Sequence, residues 1–126
     1  MWRMSNIYYN PEDFGLTIFG MVEQDLSYSF DMFVIWRNND TDTLYYKTDS
    51  GCSCPSPFED DTRETLIPID PYHLQSFVAE LRSWANHGVF EENNTDESPP
   101  KVSFDKIIEL EDKVSKHYNF IMKKGN

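Results

Sequence analysis

Residues 28–37 read Tyr-Ser-Phe-Asp-Met-Phe-Val-Ile-Trp-Arg. Side chains alternate across a strand, so Tyr28, Phe30, Met32, Val34 and Trp36 share one face, and Asp31, Phe33 and Ile35 the other. A strand with one wet face alternates apolar with polar residues. This one is apolar on both faces over its second half. It therefore has to run inside a sheet that is covered on both sides for part of its length.

The neighbouring runs supply that sheet. Phe14 to Glu23 reads as a strand, with Leu16, Ile18, Gly20 and Val22 on one face and Thr17, Phe19 and Met21 on the other. Gly15 and Gly20 leave room for a bulge or a close neighbour. Asn38-Asn39-Asp40-Thr41-Asp42 is a polar turn, and Thr43 to Thr48 follows as a third strand. A short Asn/Asp loop between two such runs signals a hairpin, so the three runs predict an antiparallel meander. Leu66 to Ile69 fits a short edge strand, limited by Pro68, which cannot donate to a ladder.

Helical patterns begin at Asp70-Pro71, an N-cap acid followed by proline at the first helical position. Leu74, Phe77, Val78, Leu81 and Ala85 form one apolar stripe to about Asn86, with Trp84 at its edge. Residues 91–101 (EENNTDESPPK) hold no apolar side chain and read as a flexible acidic linker. Ser103 can cap a second helix, whose apolar face is Phe104, Ile107, Ile108, Leu110, Val114, Tyr118, Ile121 and Met122. The expected fold is α+β: a three- to four-stranded antiparallel meander sheet packed with two α-helices, in a single domain over residues 1–126. The linker also permits exchange of the last helix between two copies, which would give a homodimer.

Charge narrows the partners. The chain carries 22 acids and 11 bases, a net of −11. Residues 1–62 contribute 11 acids and 3 bases, so most of the excess lies in the first half. Binding nucleic acid directly requires clustered Lys and Arg, and an anionic membrane surface would be repelled. A basic protein partner is compatible. The start of the chain lacks the apolar core of a signal peptide, and no stretch approaches the ~18 apolar residues of a membrane span. A cytoplasmic protein with reduced thiols is the expectation.

The stretch 49–61, DSGCSCPSPFEDD, concentrates the unusual residues. A closed zinc site takes four ligands, commonly as two close pairs. Cys52 and Cys54 make one pair, and His73, His87 and His117 are scattered. Redox-active pairs usually have two intervening residues, where this pair has one. Gly51 permits a positive φ, Pro55 and Pro57 fix two dihedrals, and Phe58 can anchor in a core. Ser50 to Phe58 therefore reads as a stiff loop leaving the third strand, with the thiols packed and no cofactor expected. Its acidic end, Glu59, Asp60, Asp61 and Glu64, reads as solvated. Trp2, Tyr8, Tyr9, Tyr45 and Tyr46 are candidates for a recognition surface; Tyr45 and Tyr46 point to opposite faces of their strand. The chain contains no phosphate-binding loop, dinucleotide fingerprint, zinc-protease or nucleophile-elbow motif.

The combination Phe14-Gly-Leu, Tyr28-Ser-Phe-Asp, Val34-Ile-Trp-Arg, Leu44-Tyr-Tyr and DSGCSCPSPFED resembles a group of small proteins encoded by bacteriophages of actinobacteria. The similarity covers about residues 8–62 and is most distinctive in the last motif. It implies a phage-encoded accessory protein in the cytoplasm of an infected host cell, and it carries over no catalytic residue. The expected function is non-enzymatic binding of a host or phage protein, through Tyr45, Tyr46, Ser50, Ser53, Ser56, Phe58, Glu59, Asp60 and Asp61. The alternatives are an acidic DNA mimic that acts as an anti-defence decoy, and a metal- or redox-active protein centred on Cys52 and Cys54.

Overall fold

The computed structural model describes residues 5–24, 29–52, 57–86 and 102–124. Four strands, β1 (Leu16–Glu23), β2 (Ser29–Asn38), β3 (Leu44–Cys52) and β4 (Ile67–Pro68), are followed by α1 (Leu74–Asn86) and α2 (Phe104–Lys124). The strands form one antiparallel meander in the order β1-β2-β3-β4. The architecture is α+β, as the periodicities predict. The chain divides into two compact units: the sheet, within residues 1–21 and 25–69, and the helices, from residue 70 onward together with 22–24. The expected linker at 91–101 lies outside the described residues.

In the sheet unit, β2 meets its two-sided requirement. Met32, Phe33, Val34, Ile35 and Trp36 are all buried. Met32, Val34 and Trp36 join Ile7, Leu16, Phe58 and Leu66 in one core cluster. The indole N–H of Trp36 donates to the Ile7 carbonyl at 2.9 Å, so burying this large ring leaves no orphaned donor.

The β2–β3 hairpin is closed by Asn38, the one polar residue buried among the described residues. Its side-chain oxygen accepts the N–H groups of Asp40 (2.8 Å) and Thr41 (3.2 Å). Its backbone pairs with Thr43 and Asp42, and Asp42 takes a left-handed φ of 66°. Asn and Asp tolerate these local bonds and angles, which is why the turn is built from them.

Two boundaries differ from the sequence reading. β3 continues past Thr48 to Cys52, so Ser50 and Gly51 are strand residues rather than the start of a loop. Gly51 has no positive φ; it lies opposite Phe30, whose ring sits 3.4 Å from where a Cβ would be. The glycine makes room for a ring and does not turn the chain. Among the described residues, the left-handed glycine is Gly15 (φ 76°), which ends a short 3₁₀ turn at Pro11–Phe14, so Phe14 precedes the first strand.

In the helical unit, α1 starts at Leu74, four residues after Asp70. Asp70 instead caps a preceding turn, accepting the Tyr72 N–H at 2.9 Å and meeting His73 Nδ1 at 2.8 Å. The buried stripe of α1 is Phe77, Leu81, Trp84 and Ala85. Trp84 is therefore central, and Leu74 and Val78 lie at the margin. On α2, Ile107, Leu110, Val114 and Tyr118 are buried, whereas Phe104 and Ile108 are exposed. Arg82 of α1 holds Glu111 of α2 with two 2.8 Å hydrogen bonds. That fork is the bidentate geometry a guanidinium offers a carboxylate.

Candidate functional site

The distinctive 49–61 stretch is organised by its first residue. Asp49 is half-buried on β3, and its two carboxylate oxygens do separate work. One accepts the neighbouring Ser50 N–H at 2.9 Å, and the other accepts the Phe58 N–H at 2.7 Å. The amide nitrogen of Asn6 donates to the Pro57 carbonyl at 3.0 Å. The segment that leaves β3 is thus tied back to the strand at its far end, nine residues on.

Phe58 is the anchor of that closure. It is 1% exposed, meets Trp36 edge-on at 5.2 Å and leans on Tyr8 at 5.9 Å. Its backbone is left-handed, φ 58°. For a bulky residue this costs about 1–2 kcal/mol. Burying the ring is worth about 1.5–3 kcal/mol, and the charge-assisted bond to Asp49 adds about 1.5–3 kcal/mol. Core burial and the carboxylate together outweigh the backbone cost.

The chain turns directly after the anchor. Asp61 N–H donates to the Phe58 carbonyl at 3.2 Å, and Glu59 and Asp60 project into solvent between them. Asp61 is turned inward: its carboxylate takes Lys47 Nζ at 2.9 Å and the Thr65 hydroxyl at 2.8 Å. Glu64, in the short 3₁₀ turn Arg63–Thr65, is exposed. Its carboxyl is held below the usual range, first by a backbone hydrogen bond and then by the Thr62 hydroxyl. Tyr8, which leans on Phe58, also meets Tyr9 edge-on at 5.1 Å, and Tyr9 is 60% exposed. Asn6 sets this pair by accepting the N–H groups of Tyr8 and Tyr9.

The expected binding residues are therefore sorted. Phe58 is buried, Asp61 is committed to Lys47, and Glu59, Asp60 and Ser50 are exposed. Tyr45 packs against the core cluster, and Tyr46 stacks on Phe33 at 5.1 Å with the rings 5° apart. Both are half-buried. Trp2, Ser53, Cys54 and Ser56 lie outside the described residues, as does the Cys52 side chain. Sequence reasoning passed over Asp49 and Asn6. Their roles depend on partners nine and fifty-one residues away, which no local pattern signals.

A model of a domain of unknown function, DUF7574, matches residues 5–123. The chain belongs to this family. The match takes in residues of both units. No curated protein and no solved structure matches the DUF7574 chain. No helix among the described residues is long and apolar enough to cross a membrane.

Proposed function

We propose that the protein is a non-enzymatic binding module, a phage-encoded accessory factor that engages a basic surface of a host or phage protein. The contact is the Phe58 turn: Glu59 and Asp60 at its tip, with Tyr9 presented through Tyr8 on the same anchor. The closure of this turn by Asp49 carries the reading. Two exposed carboxylates stand on a turn whose base is buried and hydrogen-bonded, so little ordering entropy remains to be lost on binding. Exposed tyrosine supplies apolar area with few rotatable bonds, and flanking acids steer a basic partner.

The acid distribution favours this reading over the DNA-mimic decoy. Within the sheet unit, the exposed acids among the described residues fall on separate turns: the first 3₁₀ turn (Glu12, Asp13), the hairpin tip (Asp40), the Phe58 turn (Glu59, Asp60) and the turn Arg63–Thr65 (Glu64). Mimicry of a phosphate backbone asks for one continuous row.

Affinity capture from infected-cell lysate tests the proposal, with the wild type beside Glu59→Lys/Asp60→Lys and Tyr9→Ala. These side chains are exposed, and circular dichroism checks that the variants keep the fold. The expected result is loss of a specific captured protein from both variants. Capture that is identical across all three would overturn the proposed contact.

A further inference from the structure

Among the described residues, the helical unit exposes an apolar strip. Phe104 is 58% exposed and Ile108 42%. They stand at i and i+4 on α2, stacked on one face beside the buried stripe. Across from Ile108 on α1, Leu74 and Val78 are also i and i+4, and both are half-buried, whereas Phe104 lies beside Arg82 and Ala85 at the other end of α1. Leu74, Val78, Ile108 and Ser115 line a groove of about 310 Å³ between the two helices. Phe104 and Ile108 also share a shallow depression of about 600 Å³ with Asp105, Glu109 and Asp112.

The charges around this strip are sorted. Arg82 lies over the Phe104 ring at 5.4 Å, but its fork is occupied by Glu111. Lys116 meets Asp112 at 3.1 Å. Helical spacing puts Lys106 and Lys113 on the far side of α2 from Ile108. Asp105 and Glu109 therefore give the rim an acidic character.

We propose that this face docks an amphipathic, basic helix of a protein partner, with apolar residues at i, i+3, i+4 and i+7 in the groove and Lys or Arg side chains against Asp105 and Glu109. Helix-in-groove recognition has this arrangement of anchors. Charge selects the occupant. A second copy of this chain would bring like acids together, at a cost, whereas a basic helix is attracted and oriented. The surface lies in the helical unit and does not depend on the Phe58 turn.

The test measures binding of a labelled Leu/Lys peptide, with Leu at i, i+3, i+4 and i+7, to the full chain by fluorescence anisotropy. A peptide of the same composition with its leucines scattered is the control. Circular dichroism checks that each variant keeps its helix content. Ile108→Ser and, separately, Phe104→Ser should each weaken binding about tenfold or more. Asp105→Lys/Glu109→Lys should weaken it and flatten its salt dependence, and Glu12→Gln, on the exposed first 3₁₀ turn, should leave it unchanged. Equal binding of the scattered peptide, or unchanged affinity in both Ser variants, would overturn the proposal. So would sedimentation showing a dimer that Ile108→Ser dissociates, since the occupant would then be a second copy.

Discussion

Asp49 and Phe58 show how one side chain can hold a segment. Removing the carboxylate leaves the Phe58 N–H, at a buried anchor, without its acceptor. Asp49→Ala should therefore destabilise the protein by about 1–3 kcal/mol. Phe58→Ala should cost more, about 3–5 kcal/mol, because it empties the space beside Trp36. Urea unfolding followed by circular dichroism measures both, and equal, near-zero effects would show that the turn is not held this way. Asp70 provides a pH effect of definite sign. Its carboxyl is held below the ordinary range, first by the hydrogen bond with His73 and then by the Tyr72 N–H. A lowered folded pKa means that the carboxylate's contribution is complete above about pH 4 and is lost as pH falls through the lowered value. The Tyr72 amide resonance should follow that titration in the wild type and stay flat in Asp70→Asn. An amide that titrates equally in both proteins would remove Asp70 as the cause.

At the scale of elements, two glycines separate by backbone conformation. Gly15 is left-handed and Gly51 is not. Gly15→Ala should destabilise by about 1–2 kcal/mol, the cost of a Cβ in that region. Gly51→Ala should lie within about 1 kcal/mol of the wild type, since an added Cβ meets only the edge of a Phe30 ring that can give slightly. Thermal melts of the two variants decide it, and a reversed order would contradict the strand assignment. The same pair shows what was legible beforehand. The meander, the Asn/Asp hairpin and the doubly apolar β2 all follow from spacing, because alternation and turn chemistry are local. The observed end of β3 differs from the sequence expectation because Gly51 shortly before Pro55 and Pro57 resembles a turn locally, while its partner Phe30 sits on another strand. The start of α1 slipped for a similar reason. Asp70 satisfies a cap pattern, yet its carboxylate serves Tyr72 and His73 before the helix begins. Phe58 was readable as an anchor from its apolar character. The closure by Asp49 and the exposure of Tyr9 rest on tertiary contacts that leave no periodic trace.

For the whole molecule, a net charge of −11 is the dominant long-range fact. Self-repulsion opposes the compact state, and salt screens it over a Debye length of about 10 Å at 0.1 M. The melting temperature should therefore rise between low salt and about 0.2 M NaCl; a fall would mean that the ion pairs Lys47–Asp61 and Arg82–Glu111 outweigh the repulsion. The core cluster of the sheet unit has a different consequence, one of timing. It joins Ile7, before the first strand, to Phe58 and Leu66, near the last. A chain emerging from the ribosome can pair β1, β2 and β3 while Trp36 still lacks its ring partner Phe58. Until Leu66 has left the exit tunnel, the nascent hairpins keep one apolar face uncovered. During synthesis, β1, β2 and β3 thus emerge before the residues that complete their shared core.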